Sequence, residues 1–217
     1  RQKATGGKNI AARKTAGSHQ TYKVKKGDSL LGIANKFHVP VAKLKKMNNL
    51  KFKNGDIFPK FGLGTWLSKP NEAYNAVLEA IKCGYRHIDC AYIYGNEKEI
   101  GNALQFVFKN KMVKREELFI TSKLWNSDHS AERVQPAIEK SLNDLQLNYL
   151  DLYLMHWPIA FKPGREQARS VNDLASLDEI PIETTWEEIA KLKQKGLTKH
   201  IGVSNFNINK IKKISEN

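Results

Sequence analysis

Four polar residues occur near the ends of three successive apolar segments, and together they form a set that can donate a proton. Asp89 and Tyr94 lie in GYRHIDCAYIYGNE, Lys123 lies in LFITSKLW and His156 lies in LDLYLMHWP. The hydroxyl of tyrosine is a weak acid, with a reference pKa of about 10, and a nearby ammonium group favours the phenolate. A carboxylate can hold that ammonium group, and a neutral imidazole can orient a carbonyl oxygen. The set suits carbonyl reduction, in which Tyr94 supplies the proton and a hydride arrives from elsewhere.

The segments that carry these residues belong to an alternation of strands and helices. Five apolar strings predict strands, namely FGLGTW, HIDCA, LFITSKLW, LDLYLMHW and HIGVSNF, and helical segments separate them. This alternation is typical of parallel α/β architecture. Gly84 and Gly196 follow two of the predicted helices and are expected to end them. The polar stretch between Ile159 and Glu183 is too long for a plain connector and predicts a lid or substrate loop.

Five motifs in this order closely resemble the aldo-keto reductase family, from about residue 48 to residue 217. KFGLGTW precedes the three strings that carry the polar set, and KHIGVSNF follows them. The resemblance implies NADPH-dependent reduction of aldehydes and ketones to alcohols. It also implies roles for the four residues: Tyr94 as the general acid, Lys123 and Asp89 as its tuning pair, and His156 as the group that orients the carbonyl.

The same resemblance implies an α/β fold, an incomplete (β/α)₈ TIM barrel with five of its eight strands. A closed barrel of this type takes roughly 250 residues, and the family's region beyond the fifth strand holds much of the cofactor. We therefore expect this chain, as a truncated copy, to reduce carbonyls poorly by itself, and a complete member to be a monomer. Further family positions fall into a cofactor-binding group (Thr65, Asp89, Ser204 and Asn205) and a substrate-pocket group (Trp66, Trp125 and Trp157).

Ahead of the predicted barrel, residues 21–51 resemble a partial LysM module, a small α+β fold. Tyr22 and Val24 alternate with lysines as in a strand, and Leu30, Ile33, Ala34 and Phe37 fall on one face of a helix. Pro40 can open a second helix. The resemblance implies binding to an N-acetylglucosamine polymer, peptidoglycan or chitin, through two loops. The residues concerned are Gly27, Asp28, Ser29, Leu30, Asn48 and Asn49.

The junction between residues 21–51 and the reductase part, residues 52–217, allows two interpretations. KFKNGDIF can serve as the closing strand of a LysM fold or as a hairpin under the barrel floor, but not as both. The two families also differ in compartment, since the reductase part is expected in the cytoplasm and the LysM part at the cell envelope. One hypothesis is a non-functional chimeric fragment, joined within Met47–Lys51; the alternative is a genuine two-domain protein. Sequencing one continuous DNA molecule across codons 40–60 distinguishes them.

Composition restricts the other classes of function. The net charge of +14 lies almost entirely in residues 1–51, which hold 13 Lys and Arg against a single acid. Residues 1–20 are predicted to be a disordered basic linker, and no aromatic platform accompanies the lysines to indicate a specific nucleic-acid site. The sequence contains no run of about 18 apolar residues, so no membrane-spanning helix is predicted. Two cysteines and unclustered histidines predict neither a disulfide framework nor a metal site.

Overall fold

A computed structural model of the chain describes residues 30–41, 43–44, 49–162 and 164–215. The first helix, α1, spans Leu30–Lys36, and two of its residues on the predicted inner face, Ile33 and Ala34, are buried. Residues 41, 43 and 44 are also helical, and the Leu44 amide donates to the Pro40 carbonyl at 3.0 Å. The predicted linker and the first predicted LysM strand lie outside the described residues.

The central element is a five-stranded parallel sheet whose strands neighbour one another in chain order. Its strands are β3 (Leu63–Gly64), β4 (His87–Asp89), β5 (Phe119–Leu124), β6 (Leu150–Met155) and β7 (Thr198–Val203). The register places Ile88 opposite Ile120, Thr121 opposite Leu152, and Leu152 opposite His200. The α/β class and the five strands predicted for an incomplete barrel are confirmed, although β3 is shorter than FGLGTW indicated.

Helices connect the strands and cover one face of the sheet. They are α2 (Glu72–Lys82), α3 (Glu97–Lys109), α4 (Ala131–Leu145), α5 (Ile182–Gln194) and α6 (Ile208–Ser215). Fully buried aliphatic side chains from both layers form the core between them, and each contributes about 1.5–3 kcal/mol by leaving water. Gly84 and Gly196 follow α2 and α5 with positive φ, as helix-ending glycines do. No helix within the described ranges is long and apolar enough to cross a membrane.

A short hairpin packs against the amino-terminal ends of the strands. Its strands, β1 (Asn49–Lys51) and β2 (Ile57–Pro59), pair antiparallel. The Phe52 ring, in the connection between them, stacks on His200 with 3.7 Å between ring centroids. Phe58 contacts Phe119 edge-on at 5.3 Å, and the His87 ring lies 2.8 Å from the Pro59 carbonyl oxygen. Because His87 and Phe119 begin β4 and β5, this floor hairpin covers the end of the barrel opposite the polar set.

The segment between β6 and α5 folds over the other end of the strands. Phe161 forms an isolated antiparallel bridge with Leu174, and its buried ring lies 5.9 Å from Trp125. The Trp125 indole N–H donates to the Glu166 carbonyl at 2.9 Å. These contacts attach the segment predicted as a lid to the β5 end, where the polar set is found.

Candidate active site

The four residues of the polar set come together at the carboxyl edge of the sheet. Asp89 is the last residue of β4, Lys123 lies near the end of β5, and His156 directly follows β6. Tyr94 ends a 3₁₀ turn, Tyr92–Tyr94, that follows β4. Parallel strands present their carboxyl ends at one edge, so the fold brings together residues that are far apart in the sequence.

The Lys123 ammonium group is the centre of this arrangement. Its Nζ donates to both carboxylate oxygens of Asp89 at 2.9 Å, to the Cys90 carbonyl at 2.7 Å and to the Tyr94 hydroxyl at 3.3 Å. The lysine side chain is almost wholly buried, and the carboxylate compensates for the loss of water around the charge. Since the ammonium group donates to the phenol oxygen, the phenol's own proton stays available for another acceptor.

His156 forms the opposite wall of the site. Its ring centroid lies 5.9 Å from that of Tyr94, nearly perpendicular to it, and 5.2 Å from that of Trp125. Burial, and then the charge of Lys123, lowers the pKa of His156 to about 4, so the imidazole is neutral near neutral pH. Its Nδ1 is buried without a partner among the described residues. A neutral imidazole carries its proton on only one of its two nitrogens. Because Nδ1 is buried, the tautomer with the proton on Nε2 is the one that can donate to a ligand.

Ser204 and Asn205 lie where β7 ends beside His156. The Asn205 side-chain amide donates to the His156 carbonyl at 2.8 Å and to the Ser204 hydroxyl oxygen at 3.1 Å. Within the described part of the chain, this leaves the Asn205 side-chain carbonyl oxygen and the Ser204 hydroxyl proton for a ligand. A primary carboxamide, with an NH₂ group that donates and an oxygen that accepts, is complementary to that pair of groups. Thr65 lies across the site, and its hydroxyl donates to the Asp89 carbonyl at 3.0 Å.

Three indole rings surround the pair formed by Tyr94 and His156. Trp66 is exposed, with its ring 6.5 Å from that of Tyr94. Trp125 packs between His156 and the loop after β6. Trp157 is partly exposed and lies 6.4 Å from His156. The three tryptophans predicted for the pocket therefore each lie within 6.5 Å of the Tyr94 or the His156 ring, measured between ring centroids.

The predicted glycan-binding residues occupy the other end of the chain. Leu30 begins α1 and Asn49 begins β1, while Gly27, Asp28, Ser29 and Asn48 lie outside the described residues. Among the residues with described positions, no cluster of three His, Cys, Asp or Glu side chains could hold a metal ion.

Two buried residues next to the site were not selected from the sequence. The Asn96 side-chain amide donates to the Thr65 carbonyl at 2.8 Å, and the Glu97 carboxylate accepts hydrogen bonds from two buried serines. Both follow Tyr94 in the string YGNE. In the sequence, these two polar residues lie between Tyr94 and the amphipathic helix that follows it, and that position could have indicated them.

Comparison with known protein families agrees with this geometry. The sequence model of the aldo/keto reductase family matches residues 60–217, and that of the LysM domain matches residues 22–60. This chain belongs to the aldo/keto reductase family. The two matches meet at Lys60, directly after the floor hairpin, so the LysM match includes that hairpin.

Individual relatives give the same assignment over about half of their length. An aldo/keto reductase of Synechocystis is 46% identical over 172 residues, which are 78% of this chain and 53% of the relative. The human aldo-keto reductase family 1 member A1 is 51% identical over 159 residues, 72% of this chain and 49% of the relative. The chain therefore spans about half the length of the curated relatives it matches.

Solved structures of two aldose reductases are also similar. The enzyme from Schistosoma japonicum superposes with a TM-score of 0.73 at 48% identity, covering 77% of this chain and 56% of that one. The enzyme from Giardia lamblia gives a TM-score of 0.68 at 41% identity, covering 72% and 52% of the two chains. Both superpositions thus cover about three quarters of this chain and a little more than half of the solved one.

Proposed function

We propose that residues 52–217 carry the proton-donating site of an NADPH-dependent reductase of aldehydes and ketones, with Tyr94 as the general acid. The observation that supports this most is the 3.3 Å contact between the Lys123 ammonium group and the Tyr94 hydroxyl, within a cluster that also holds Asp89. Membership of the aldo/keto reductase family supports the same class of reaction.

In this proposal, the carbonyl oxygen of the substrate lies between the Tyr94 hydroxyl and the His156 imidazole. The neutral imidazole donates from Nε2 and orients the oxygen. NADPH, when bound, supplies the hydride that forms the new C–H bond and leaves as NADP⁺. Negative charge then develops on the carbonyl oxygen, Tyr94 transfers its proton to that oxygen, and the product is an alcohol. The Lys123 ammonium group stabilises the phenolate until solvent returns the proton.

The remaining site residues hold and enclose the two reactants. Ser204 and Asn205 would hold the carboxamide of the nicotinamide, and Thr65 and Asp89 would support the same cofactor from the β3 and β4 ends. Trp66, Trp125 and Trp157 supply apolar and aromatic surface for the substrate. Such a wall favours aldehydes with an aromatic or otherwise apolar group next to the carbonyl.

The test is a comparison of the full chain with its Tyr94→Phe variant. The phenyl ring keeps the packing and removes the proton donor, so we expect the rate of reduction to fall about 10²- to 10⁴-fold. Single-turnover conditions, with the chain in excess over NADPH and 4-nitrobenzaldehyde as substrate, detect slow reduction through the absorbance of the reduced nicotinamide.

The matched control is Tyr92→Phe, on the same 3₁₀ turn. The Tyr92 hydroxyl points toward Glu166, 3.5 Å away, rather than toward Lys123. This control should keep the wild-type rate. Equal rates for the wild type and Tyr94→Phe would remove Tyr94 as the acid and the proposal with it.

A second candidate function, binding of an N-acetylglucosamine polymer, is favoured by the LysM match over residues 22–60. We propose that residues 21–51 hold such a polymer. The binding residues are those of the first loop, around Gly27, and those of the stretch around Asn48. The excess of Lys over acidic residues in this part of the chain also favours an anionic envelope surface.

The polymer-binding candidate is tested by retention of the full chain on insoluble solids. We expect the chain to sediment with chitin or peptidoglycan and to be released by soluble N-acetylglucosamine oligomers. Cellulose has the same glycosidic linkage without the acetamido group, and it serves as the control. Equal sedimentation with cellulose, or no release by the oligomers, would reduce the interaction to nonspecific adsorption.

A further inference from the structure

Glu97 carries a carboxylate into the otherwise apolar layer between the sheet and the helices. It begins α3 and is only 3% exposed. Its two oxygens accept hydrogen bonds from the hydroxyls of Ser122, at 2.6 Å, and Ser141, at 2.8 Å. Burial raises the pKa of Glu97, while the two hydroxyl donors lower it. Within the described residues it has no ion-pair partner in direct contact, so the two neutral hydroxyls, with a smaller contribution from the charge of Lys140, compensate for the buried charge.

The three residues joined in this way come from three elements around the proton-donating set. Glu97 lies three residues after Tyr94, separated from it by Gly95 and Asn96, and Gly95 has a φ of +70°. Ser122 lies in β5 directly before Lys123. Because side chains alternate along a strand, Ser122 faces the helices while Lys123 faces the site. The carboxylate therefore links the segment that carries the acid to the strand that carries its lysine.

A second contact fixes the same helix one turn further on. At Gly101, an added Cβ would lie 2.3 Å from the Asp144 carbonyl oxygen, so α3 approaches the backbone of α4 more closely than any side chain allows. Ser141, the other partner of Glu97, is also in α4. The contacts at Glu97 and Gly101 are thus one helical turn apart on α3, and both are made with α4.

We propose that Glu97 is a positioning residue for the reduction described above: its carboxylate holds the start of α3 on β5 and thereby sets the distance between the Tyr94 hydroxyl and the Lys123 ammonium group. This role rests on the proposed function, since it matters for catalysis only where Tyr94 is the acid. Glu97 touches neither reactant and acts through the segment that carries Tyr94. An apolar residue of the same size would fill the space at a lower desolvation cost, but it would give β5 and α4 no directional contact.

Three variants separate positioning from stability. Glu97→Gln can accept from one serine and donate to the other, so it should stay within about threefold of the wild-type rate. Glu97→Leu leaves two hydroxyls unpaired and loses both stability and rate. The triple variant Glu97→Leu/Ser122→Ala/Ser141→Ala removes all the polar partners and should fold. Its kcat should nevertheless fall about 10- to 100-fold with the KM for the aldehyde unchanged, because small displacements of a catalytic group have effects of this size.

The control for the carboxylate-to-leucine change is Glu139→Leu, at an exposed position of α4, which should keep the wild-type kcat. A crystal structure of the triple variant gives a readout that does not depend on activity. We expect the separation of 3.3 Å between the Tyr94 oxygen and the Lys123 nitrogen to lengthen by about 0.5–1 Å. A triple variant with wild-type kcat and an unchanged separation would overturn the positioning role. If Tyr94→Phe leaves the rate unaltered, the proposed function fails independently of Glu97. In that case only the distance between the Tyr94 oxygen and the Lys123 nitrogen in the triple variant decides whether Glu97 positions Tyr94.

Discussion

His129 and His156 are both buried histidines of low pKa, but only one of them faces the site. His156 lies beside Tyr94, where a neutral ring can donate to a carbonyl oxygen. His129 lies at the start of α4 and is 1% exposed, and neither ring nitrogen has a partner among the described residues. Burial lowers the pKa of His129 to about 4. At the scale of single residues, burial thus keeps the His156 imidazole neutral beside Tyr94, whereas burial of the His129 imidazole lowers the stability of the folded chain in acid.

We expect His129 to make the folded chain less stable as the pH falls. The unfolded chain binds a proton at this histidine below a pH of about 6.5, whereas the folded chain does so only below about 4. The free energy of unfolding should therefore fall between these pH values, by on the order of 3 kcal/mol from this residue. His129→Leu removes the titrating group, so urea unfolding at a series of pH values should show a shallower slope.

The exposed His38 provides the control for that experiment. Its backbone has a φ of +52°, which asparagine tolerates, so His38→Asn replaces an exposed histidine without straining the fold. The burial argument is wrong if His129→Leu and His38→Asn give the same slope.

At the scale of secondary-structure elements, the floor hairpin packs against strands that are distant from it in the sequence. Phe52 stacks on His200 and also faces Phe119 at 6.3 Å between centroids. The Asp56 carboxylate lies 3.0 Å from the His200 ring nitrogen. These contacts join the connection between β1 and β2 to β5 and β7, so the hairpin contributes to the stability of the sheet it covers.

Phe52→Ala should destabilise the chain by about 2 kcal/mol, roughly half the loss for a fully buried phenylalanine, because the ring is only partly buried. Urea unfolding measures the change. Lys53→Ala, at the exposed neighbouring position, is the control and should leave the midpoint where it is. A Phe52→Ala variant as stable as Lys53→Ala would show that the hairpin does not hold the barrel floor.

At the scale of the whole molecule, the matches to two family models lie along one chain and meet at Lys60. The floor hairpin falls inside the LysM match, yet its aromatic rings pack on the strands of the reductase part. The two interpretations of KFKNGDIF, a closing strand of a LysM fold or a hairpin under the barrel floor, therefore differ in how the two parts are connected. The proposed join within Met47–Lys51 stays a hypothesis. The strong positive charge of residues 1–51 distinguishes the first part from the nearly neutral remainder.

The sequence by itself determined the class of fold and the four residues of the polar set. Helix and strand periodicity is local, so alternating segments could be recognised without coordinates. Asp89, Lys123 and His156 each come at or just after the end of an apolar strand, and the geometry of parallel strands is enough to predict that they meet. The glycines at positions 84 and 196 marked helix ends for the same local reason, since only a residue without a side chain readily takes their positive φ.

The tertiary structure alone decided which polar groups are buried and what they contact. The hydrogen bond between Glu97 and Ser141 spans 44 residues, and the contact between Asp56 and His200 joins residues that are still further apart in the sequence. Such pairs depend on how helices and strands pack against one another, and neither partner carries a local pattern that identifies the other. The sequence therefore indicated the chemistry of the site, whereas three-dimensional packing determined the buried carboxylate behind it, the floor hairpin and the unpartnered histidine.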